Sequence, residues 1–244
     1  MRKVTVLSGL LVIALALSAA AATDIVFVVD GSGSISPADF QLMKDGIDSA
    51  LTSCLPQDGS VRVGLVQFSS TAQRELSMTT VTLGNLAAIS AAVTGMTQLN
   101  AATNYEIAID TACAVISGSG ADVKALCFVS DGVPNQGNTN TAALSLNASG
   151  CGYTRLDAFG VGIAPVDEPT LKALVFPQPD STPPGMYIAV TDYQEFKDGI
   201  CAKVSGVVGA IPTLSEWGMI LFAAVLFASL VWYLRRQRRT VSVR

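Results

Sequence analysis

A buried strand that runs directly into a loop of oxygen donors constrains this sequence more than any other feature. Ile25–Val29 is an unbroken run of β-branched and aromatic residues, which predicts a strand buried on both faces. Asp30, Ser32 and Ser34 follow at alternate positions, separated by glycines that allow a tight turn. Carboxylate and hydroxyl oxygens on one loop suit Mg²⁺, Mn²⁺ or Ca²⁺ better than Zn²⁺. The alternative is an ordinary polar turn, because Asp, Gly and Ser are common turn residues.

Two later segments carry side chains of the same chemical kind. Thr103 precedes a predicted helix, and Asp131 directly follows the predicted strand 124–130. In a parallel sheet, ligands bind beyond the carboxyl ends of the strands. If the strands that end at Asp30 and Asp131 are neighbours, both carboxylates and the Thr103 loop meet in one crevice.

Strands and helices alternate along the whole central part of the chain. This alternation predicts an α/β fold: a doubly wound, mostly parallel six-stranded sheet with helices on both faces. The short polar segment 72–76 has the character of an edge strand. Besides the strand before Asp30, the predicted strands are 61–68, 72–76, 124–130, 155–161 and 186–190. The predicted helices are 37–54, 83–93, 104–116, 141–149, 168–174 and 193–204.

Both ends of the chain have the composition of export and membrane segments. Residues 1–22 combine a basic start, an apolar run and small residues, which predicts a secretory signal peptide cleaved between Ala20 and Thr23. Near the other end, 218–234 is an apolar run of about 17 residues, the short limit for a transmembrane helix. The arginine-rich segment 235–239 then places the C-terminus in the cytoplasm and argues against a buried core helix. Residues 205–210 are small and are predicted to form a linker.

Charge and cysteine usage narrow the class of function. Residues 23–234 contain eight basic and nineteen acidic residues, a net charge of −11, which disfavours binding to nucleic acid. The chain has no histidine, which excludes a Ser-His-Asp hydrolase, and the lack of both histidine and a CxxC motif disfavours a zinc site. Metal-assisted hydrolysis stays open as a rival, although hydroxyl ligands on one hard ion are a poor way to generate hydroxide. Export permits disulfides, and the five cysteines leave at least one thiol unpaired. Cys127, inside an apolar strand, is the expected free thiol. Two bridges are expected among the other four, with the pairing open: Cys54, Cys113, Cys151 and Cys201.

The loop Asp30–Ser34, with Thr103 and Asp131 in this order, resembles the von Willebrand factor type A (vWA) domain. The segments 61–69 and 130–135 are similar to that family's second and fourth strands, so the resemblance covers 24–204. It implies a Rossmann-like vWA fold and a metal-ion-dependent adhesion site (MIDAS). In such a site Ser32 and Ser34 bind the metal directly, and Thr103 binds it directly or through water. Asp30 and Asp131 act mostly through water and as hydrogen-bond acceptors.

The resemblance also implies a function for the metal. Neutral hydroxyls leave the cation under-neutralised, so one coordination position stays open for an Asp or Glu carboxylate of a protein partner. Many members have glycines before the threonine, whereas this chain has Ala101 and Ala102, which stiffen the loop. The expected function is therefore metal-dependent adhesion or protein binding without enzymatic activity, with Mg²⁺ as the expected ion. The alternative is a structural component of a surface assembly in which the metal only stabilises the domain.

A second resemblance lies before the apolar C-terminal run. The segment is similar to the IPTL type of C-terminal sorting signal of Gram-negative bacteria: Ile211, Pro212, Thr213, Leu214, Ser215, Glu216, Trp217 and Gly218. It implies recognition and cleavage by an exosortase-like membrane enzyme within 211–244, and delivery of an exported, membrane-anchored precursor to the cell surface or medium. A plain membrane anchor is the alternative.

Overall fold

The computed structural model describes residues 23–177, 185–208 and 224–227. Six strands form its sheet: β1 (Thr23–Asp30), β2 (Asp58–Phe68), β3 (Ala72–Thr82), β4 (Val123–Ser130), β5 (Arg155–Val161) and β6 (Tyr187–Val190). Six α-helices accompany them: α1 (Pro37–Ser49), α2 (Leu86–Thr94), α3 (Tyr105–Ile116), α4 (Thr141–Gly150), α5 (Glu168–Lys172) and α6 (Tyr193–Val208). A π turn, Ala50–Cys54, continues α1.

The sheet has the strand order β3-β2-β1-β4-β5-β6 and is parallel except for β3. This arrangement confirms the predicted six-stranded, mostly parallel sheet with helices on both faces. β1 lies between β2 and β4, with Asp30 opposite Phe68 and Val29 opposite Val129. Because these strands are parallel, Asp30 and Asp131 lie at the same edge of the sheet, as the sequence predicts.

Apolar side chains fill both faces of the sheet. On one face Phe68, Tyr105 and Phe128 form an aromatic cluster with ring centroids 4.6–5.7 Å apart. On the other face Phe196 of α6 meets Phe159 of β5 edge to face at 5.5 Å. All eight residues of β1 are buried, as expected for the central strand of a sheet covered on both sides.

Two disulfides tie helices to distant parts of the chain. Cys54, at the end of the π turn, is bonded to Cys201 of α6, and Cys113 of α3 is bonded to Cys151 after α4. Cys127 is a free thiol within β4 and is 1 % exposed. The expectations of two bridges among these four cysteines and of a buried free Cys127 are confirmed, and the structure supplies the pairing.

Three elements, β2, β3 and the final helix, extend three or more residues past a predicted end. β3 extends to Thr82 because β2 begins at Asp58, and the two strands stay paired through bulges to an Asp58–Thr82 pair. The sequence of β3 gives only a weak strand signal, because the strand lies at the polar edge of the sheet and Val81 is its one buried residue. The final helix continues to Val208, four residues past its predicted end, and Val204 is buried.

Several predicted segments lie outside the described residues. They are the signal peptide 1–22, the motif 211–218 and most of the apolar run 218–234, of which 224–227 form a short helical stretch. Within the part of the chain that is described, no helix has the length and apolarity needed to cross a membrane.

Candidate metal site

The loop after β1 is held by backbone hydrogen bonds to two neighbouring segments. The Gly31 amide donates to the Phe68 carbonyl at 2.7 Å, which ties the loop to the end of β2. The Asn100 amide donates to the Gly31 carbonyl at 2.8 Å, and the Gly33 amide donates to the Ala101 carbonyl at 2.8 Å. The loop that carries Asp30, Ser32 and Ser34 is therefore fixed against the segment that leads to Thr103.

Asp30 is a buried carboxylate at the base of this loop, with 0 % exposure. Its Oδ1 accepts the Ser32 amide at 2.8 Å, and its Oδ2 accepts the Ser130 hydroxyl at 2.6 Å. Burial raises the pKa of Asp30 to about 6, because the hydrogen bonds from Ser130 and Ser32 offset only part of the lost hydration. Both partners are neutral, so the charge of this carboxylate is not compensated by a basic side chain.

The two serines connect the first loop to Asp131. The Ser32 and Ser34 hydroxyl oxygens are 3.0 Å apart, and the Ser34 hydroxyl donates to Asp131 Oδ1 at 2.9 Å. Ser32 is 1 % exposed, whereas Ser34 is open to solvent and Asp131 is partly buried. Partial burial raises the pKa of Asp131, and the hydrogen bond from Ser34 opposes this rise. The four residues form one hydrogen-bonded group that opens to solvent at Ser34.

Thr103 is held by backbone hydrogen bonds to the loop that follows Asp131. Its amide donates to Asn135 Oδ1 at 3.0 Å, and its carbonyl accepts the amides of Asn135 and Gln136 at 2.9 and 3.1 Å. These bonds fasten the Thr103 loop to the loop that follows Asp131. The Thr103 hydroxyl makes no hydrogen bond to any other described residue, so its oxygen lone pairs are available. The structure thus gathers all five predicted site residues at one edge of the sheet.

Sequence reasoning missed three residues that support the site. Ser130 is the donor to Asp30 Oδ2, Asn135 caps the Thr103 amide, and Gln67 is fully buried beside the loop. Gln67 Oε1 accepts the Leu99 amide at 2.9 Å, and its Nε2 donates to the Thr97 carbonyl at 3.1 Å. A polar residue inside the apolar strand 61–68 is the signal that could have identified Gln67.

The donors are two carboxylates and three hydroxyls, without nitrogen or sulfur. Within the described residues no cluster of three or more His, Cys, Asp or Glu side chains could hold a metal. No Lys or Arg of this region is hydrogen-bonded to Asp30 or Asp131. Such an oxygen-rich, negatively charged set fits a hard divalent cation.

A comparison with family models decides the family. The model of the von Willebrand factor type A domain matches residues 24–200. The chain belongs to the vWA family. The edge of the sheet at which its donors meet is also the carboxyl edge, where ligands bind in open α/β folds.

Among curated proteins the vWA domain is similar to matrilins. Human matrilin-1 is 29 % identical over 160 residues, which cover 62 % of this chain and 31 % of the relative. Bovine matrilin-1 is 33 % identical over 154 residues, which cover 60 % and 27 %. The matched part of the chain therefore spans less than a third of the length of these two relatives.

Solved structures share the fold of the vWA domain at low sequence identity. Proximal thread matrix protein 1 from the mussel byssus, described with a zinc-occupied MIDAS motif, has a TM-score of 0.62 at 17 % identity, over 78 % of this chain and 48 % of that one. The pilus adhesin SpaC from Lactobacillus rhamnosus GG has a TM-score of 0.61 at 16 % identity, over 76 % and 30 %. Beyond the vWA domain, the model of the IPTL-CTERM motif matches residues 210–239.

Proposed function

We propose that the five residues form a MIDAS that binds a divalent cation and, through it, a carboxylate of a protein partner. The buried Asp30, whose hydrogen-bond partners are all neutral, carries this proposal. An uncompensated buried carboxylate is costly, and a cation above it supplies the missing countercharge. The oxygen-only donor set fits that cation.

Each residue has a defined part in this proposal. Ser32, Ser34 and Thr103 offer hydroxyl oxygens to the ion. Asp30 accepts the Ser32 amide, Asp131 accepts the Ser34 hydroxyl, and both contribute the negative charge. The bound cation supplies an electrophilic position for a partner's Asp or Glu carboxylate. Ser34 is the solvent-exposed donor, so a partner reaches the site from its side. Mg²⁺ is the proposed ion, with Mn²⁺ or Ca²⁺ as alternatives.

We expect Mg²⁺ or Mn²⁺ to raise the melting temperature of the vWA domain, because the folded state alone gathers these donors. Ser34→Ala should abolish this rise and leave the melting temperature in EDTA nearly unchanged, since Ser34 is exposed. Differential scanning fluorimetry with Mg²⁺, Mn²⁺, Ca²⁺ and Zn²⁺ measures both effects and ranks the ions.

Ser149→Ala is the matched control for that experiment. It removes an exposed hydroxyl from α4 and should keep the full metal-induced rise. A wild-type domain whose melting temperature stays constant at millimolar concentrations of all four ions would contradict the metal site.

The proposed biological role is that of an exported adhesion or protein-binding module at the bacterial cell surface. The names of its structural neighbours, which include a pilus adhesin and a thread matrix protein, support binding over catalysis. The chain also has no histidine to serve as a general base. The alternative, a structural role with a purely stabilising metal, is separated by partner capture. If the protein is an adhesin, the immobilised vWA domain retains a partner in Mg²⁺ and loses it in EDTA. The Ser34→Ala variant, although folded, also fails to retain it.

The C-terminal motif supports a proposal about delivery. An IPTL-CTERM match over 210–239 fits a precursor held in the membrane by 218–234 and cut by an exosortase-like enzyme. In a strain that has the sorting enzyme, we expect the mature protein to lack 218–244 and to move to the cell surface or medium. Intact mass spectrometry separates this product from the anchored, full-length C-terminus.

A strain that lacks the sorting enzyme is the control for processing, and it should keep the full C-terminus in the membrane fraction. Recovery of that full C-terminus in both strains would refute processing and favour a plain anchor. Metal binding by the vWA domain would be unaffected by this result.

A further inference from the structure

Tyr193 carries a buried hydroxyl that no described residue satisfies. It is the first residue of α6, directly after β6, and so lies at the carboxyl edge of the sheet where the metal site is. The residue is 5 % exposed, and its hydroxyl oxygen has no hydrogen-bond partner among the described residues. Buried polar groups in folded proteins almost always have a partner, so an orphan at this edge points to a ligand, a water or an alternative state.

The surroundings of Tyr193 are those of the metal site. Burial and the negative charges of Asp131, Asp30 and Asp39 together raise the pKa of its phenol. No lysine or arginine among the described residues lies close enough to lower this pKa in opposition. A phenol that keeps its proton in a field of carboxylates is a hydrogen-bond donor, and a carboxylate is its natural acceptor.

Hydrogen bonds and position together favour one of the three carboxylates. Both oxygens of Asp30 are occupied, by the Ser32 amide and by the Ser130 hydroxyl. Asp39 accepts the Ser36 hydroxyl at Oδ2, and it lies in the first turn of α1, outside the five predicted site residues. Asp131 receives one side-chain hydrogen bond from the described residues, at Oδ1 from Ser34. Asp131 therefore has acceptor capacity left, and its charge is the one that acts most strongly on Tyr193.

We propose that Tyr193 is a positioning residue of the metal site: with the cation bound, its hydroxyl donates a hydrogen bond to Asp131, directly or through one water molecule. This inference rests on the proposed function of the site. A charge-assisted bond of this kind fixes the orientation of the carboxylate, as outer-shell partners do in other metal sites. The donor comes from α6, so the final helix contributes to a site whose predicted ligands all lie on other segments.

The test compares wild type with Tyr193→Phe, which removes the hydroxyl and keeps the ring. Loss of an outer-shell partner should weaken Mn²⁺ binding about tenfold, measured by isothermal titration calorimetry. The melting temperature in EDTA should stay constant or rise, because the variant removes a buried hydroxyl that has no partner. Mn²⁺ should also perturb the tyrosine ultraviolet difference spectrum of wild type, and this signal should be smaller in Tyr193→Phe, where Tyr105 beside Gly132 still contributes.

Tyr187→Phe is the matched control, because Tyr187 also has a buried hydroxyl without a partner but packs on the opposite face of the sheet. It should bind Mn²⁺ like wild type and keep the spectral signal. Equal Mn²⁺ affinity of wild type and Tyr193→Phe would overturn this inference and leave the metal site intact. A weaker affinity with a matching fall of the melting temperature in EDTA would show a structural role and overturn it too. A wild type that does not bind Mn²⁺ would refute the metal site itself, and the inference with it.

Discussion

Removing the Cys54–Cys201 disulfide by double serine substitution should lower the free energy of unfolding by about 5 kcal/mol, because this bridge closes a very long loop in the unfolded chain. The two cysteines are 147 residues apart, so the bridge joins the end of the first helical segment to the last helix. For a domain of this size the loss corresponds to a fall in melting temperature of about 10–20 °C. Urea denaturation of the two forms measures the difference directly.

The second disulfide provides the internal comparison. Cys113 and Cys151 are 38 residues apart, and the same loop-closure relation gives about 4 kcal/mol for their removal. The longer loop should therefore lose more stability. The reverse order would show that packing around each bridge, and not loop length, controls its contribution. Thiol titration of the denatured, non-reduced wild type should find one thiol, that of Cys127.

Gly31→Ala should destabilise the domain by about 3 kcal/mol and abolish the metal-induced rise in melting temperature, since it crowds a buried polar group. A Cβ at this position would lie 2.3 Å from Gln67 Oε1. Gln67 cannot move away freely, because its amide is bonded to Leu99 and Thr97. The new methyl group must displace either those bonds or the loop that carries Ser32.

Gly33→Ala, two residues later in the same loop, is the matched control. Its Cβ would lie 3.2 Å from the Asn100 side chain at an exposed position, so we expect a loss below about 1 kcal/mol. Equal losses for the two variants would contradict the role of Gln67. The double variant Gly31→Ala/Gln67→Ala should lose less than the sum of its single changes, because both act on one contact. Urea denaturation with and without Mg²⁺ gives all of these values.

Periodicity and local chemistry were sufficient to predict most of the fold. The apolar run 25–29 and the segment 155–161 are buried strands, as predicted. Ser36 caps α1 by accepting the Asp39 amide, with Pro37 at the first helical position. The edge strand β3 was predicted too short, because pairing with β2 determines its length and its own residues are mostly polar. The pairing of the cysteines depends on helix packing and was not predictable from their spacing.

The site residues that lie in one short motif were predictable from the sequence. The residues that reach the site only through the packing of strands and helices were less so. Asp30, Ser32 and Ser34 lie on one loop, and the parallel order of β1 and β4 brings Asp131 to them. Ser130 and Tyr193 are ordinary strand and helix residues in the sequence. Only the three-dimensional arrangement shows that Ser130 donates a hydrogen bond to Asp30 and that the buried Tyr193 hydroxyl has no partner among the described residues.

The buried free thiol of Cys127 can serve as an internal probe for transient opening of the central sheet. β4 lies between β1 and β5, so a reagent reaches the sulfur only when a central strand of the sheet is exposed. Burial also raises the pKa of this thiol, which keeps it unreactive in the folded state. With the other four cysteines in disulfides, the rate of thiol labelling under native conditions reports how often the core of the sheet opens. The effect of a bound cation or partner on that rate can be followed without introducing another cysteine.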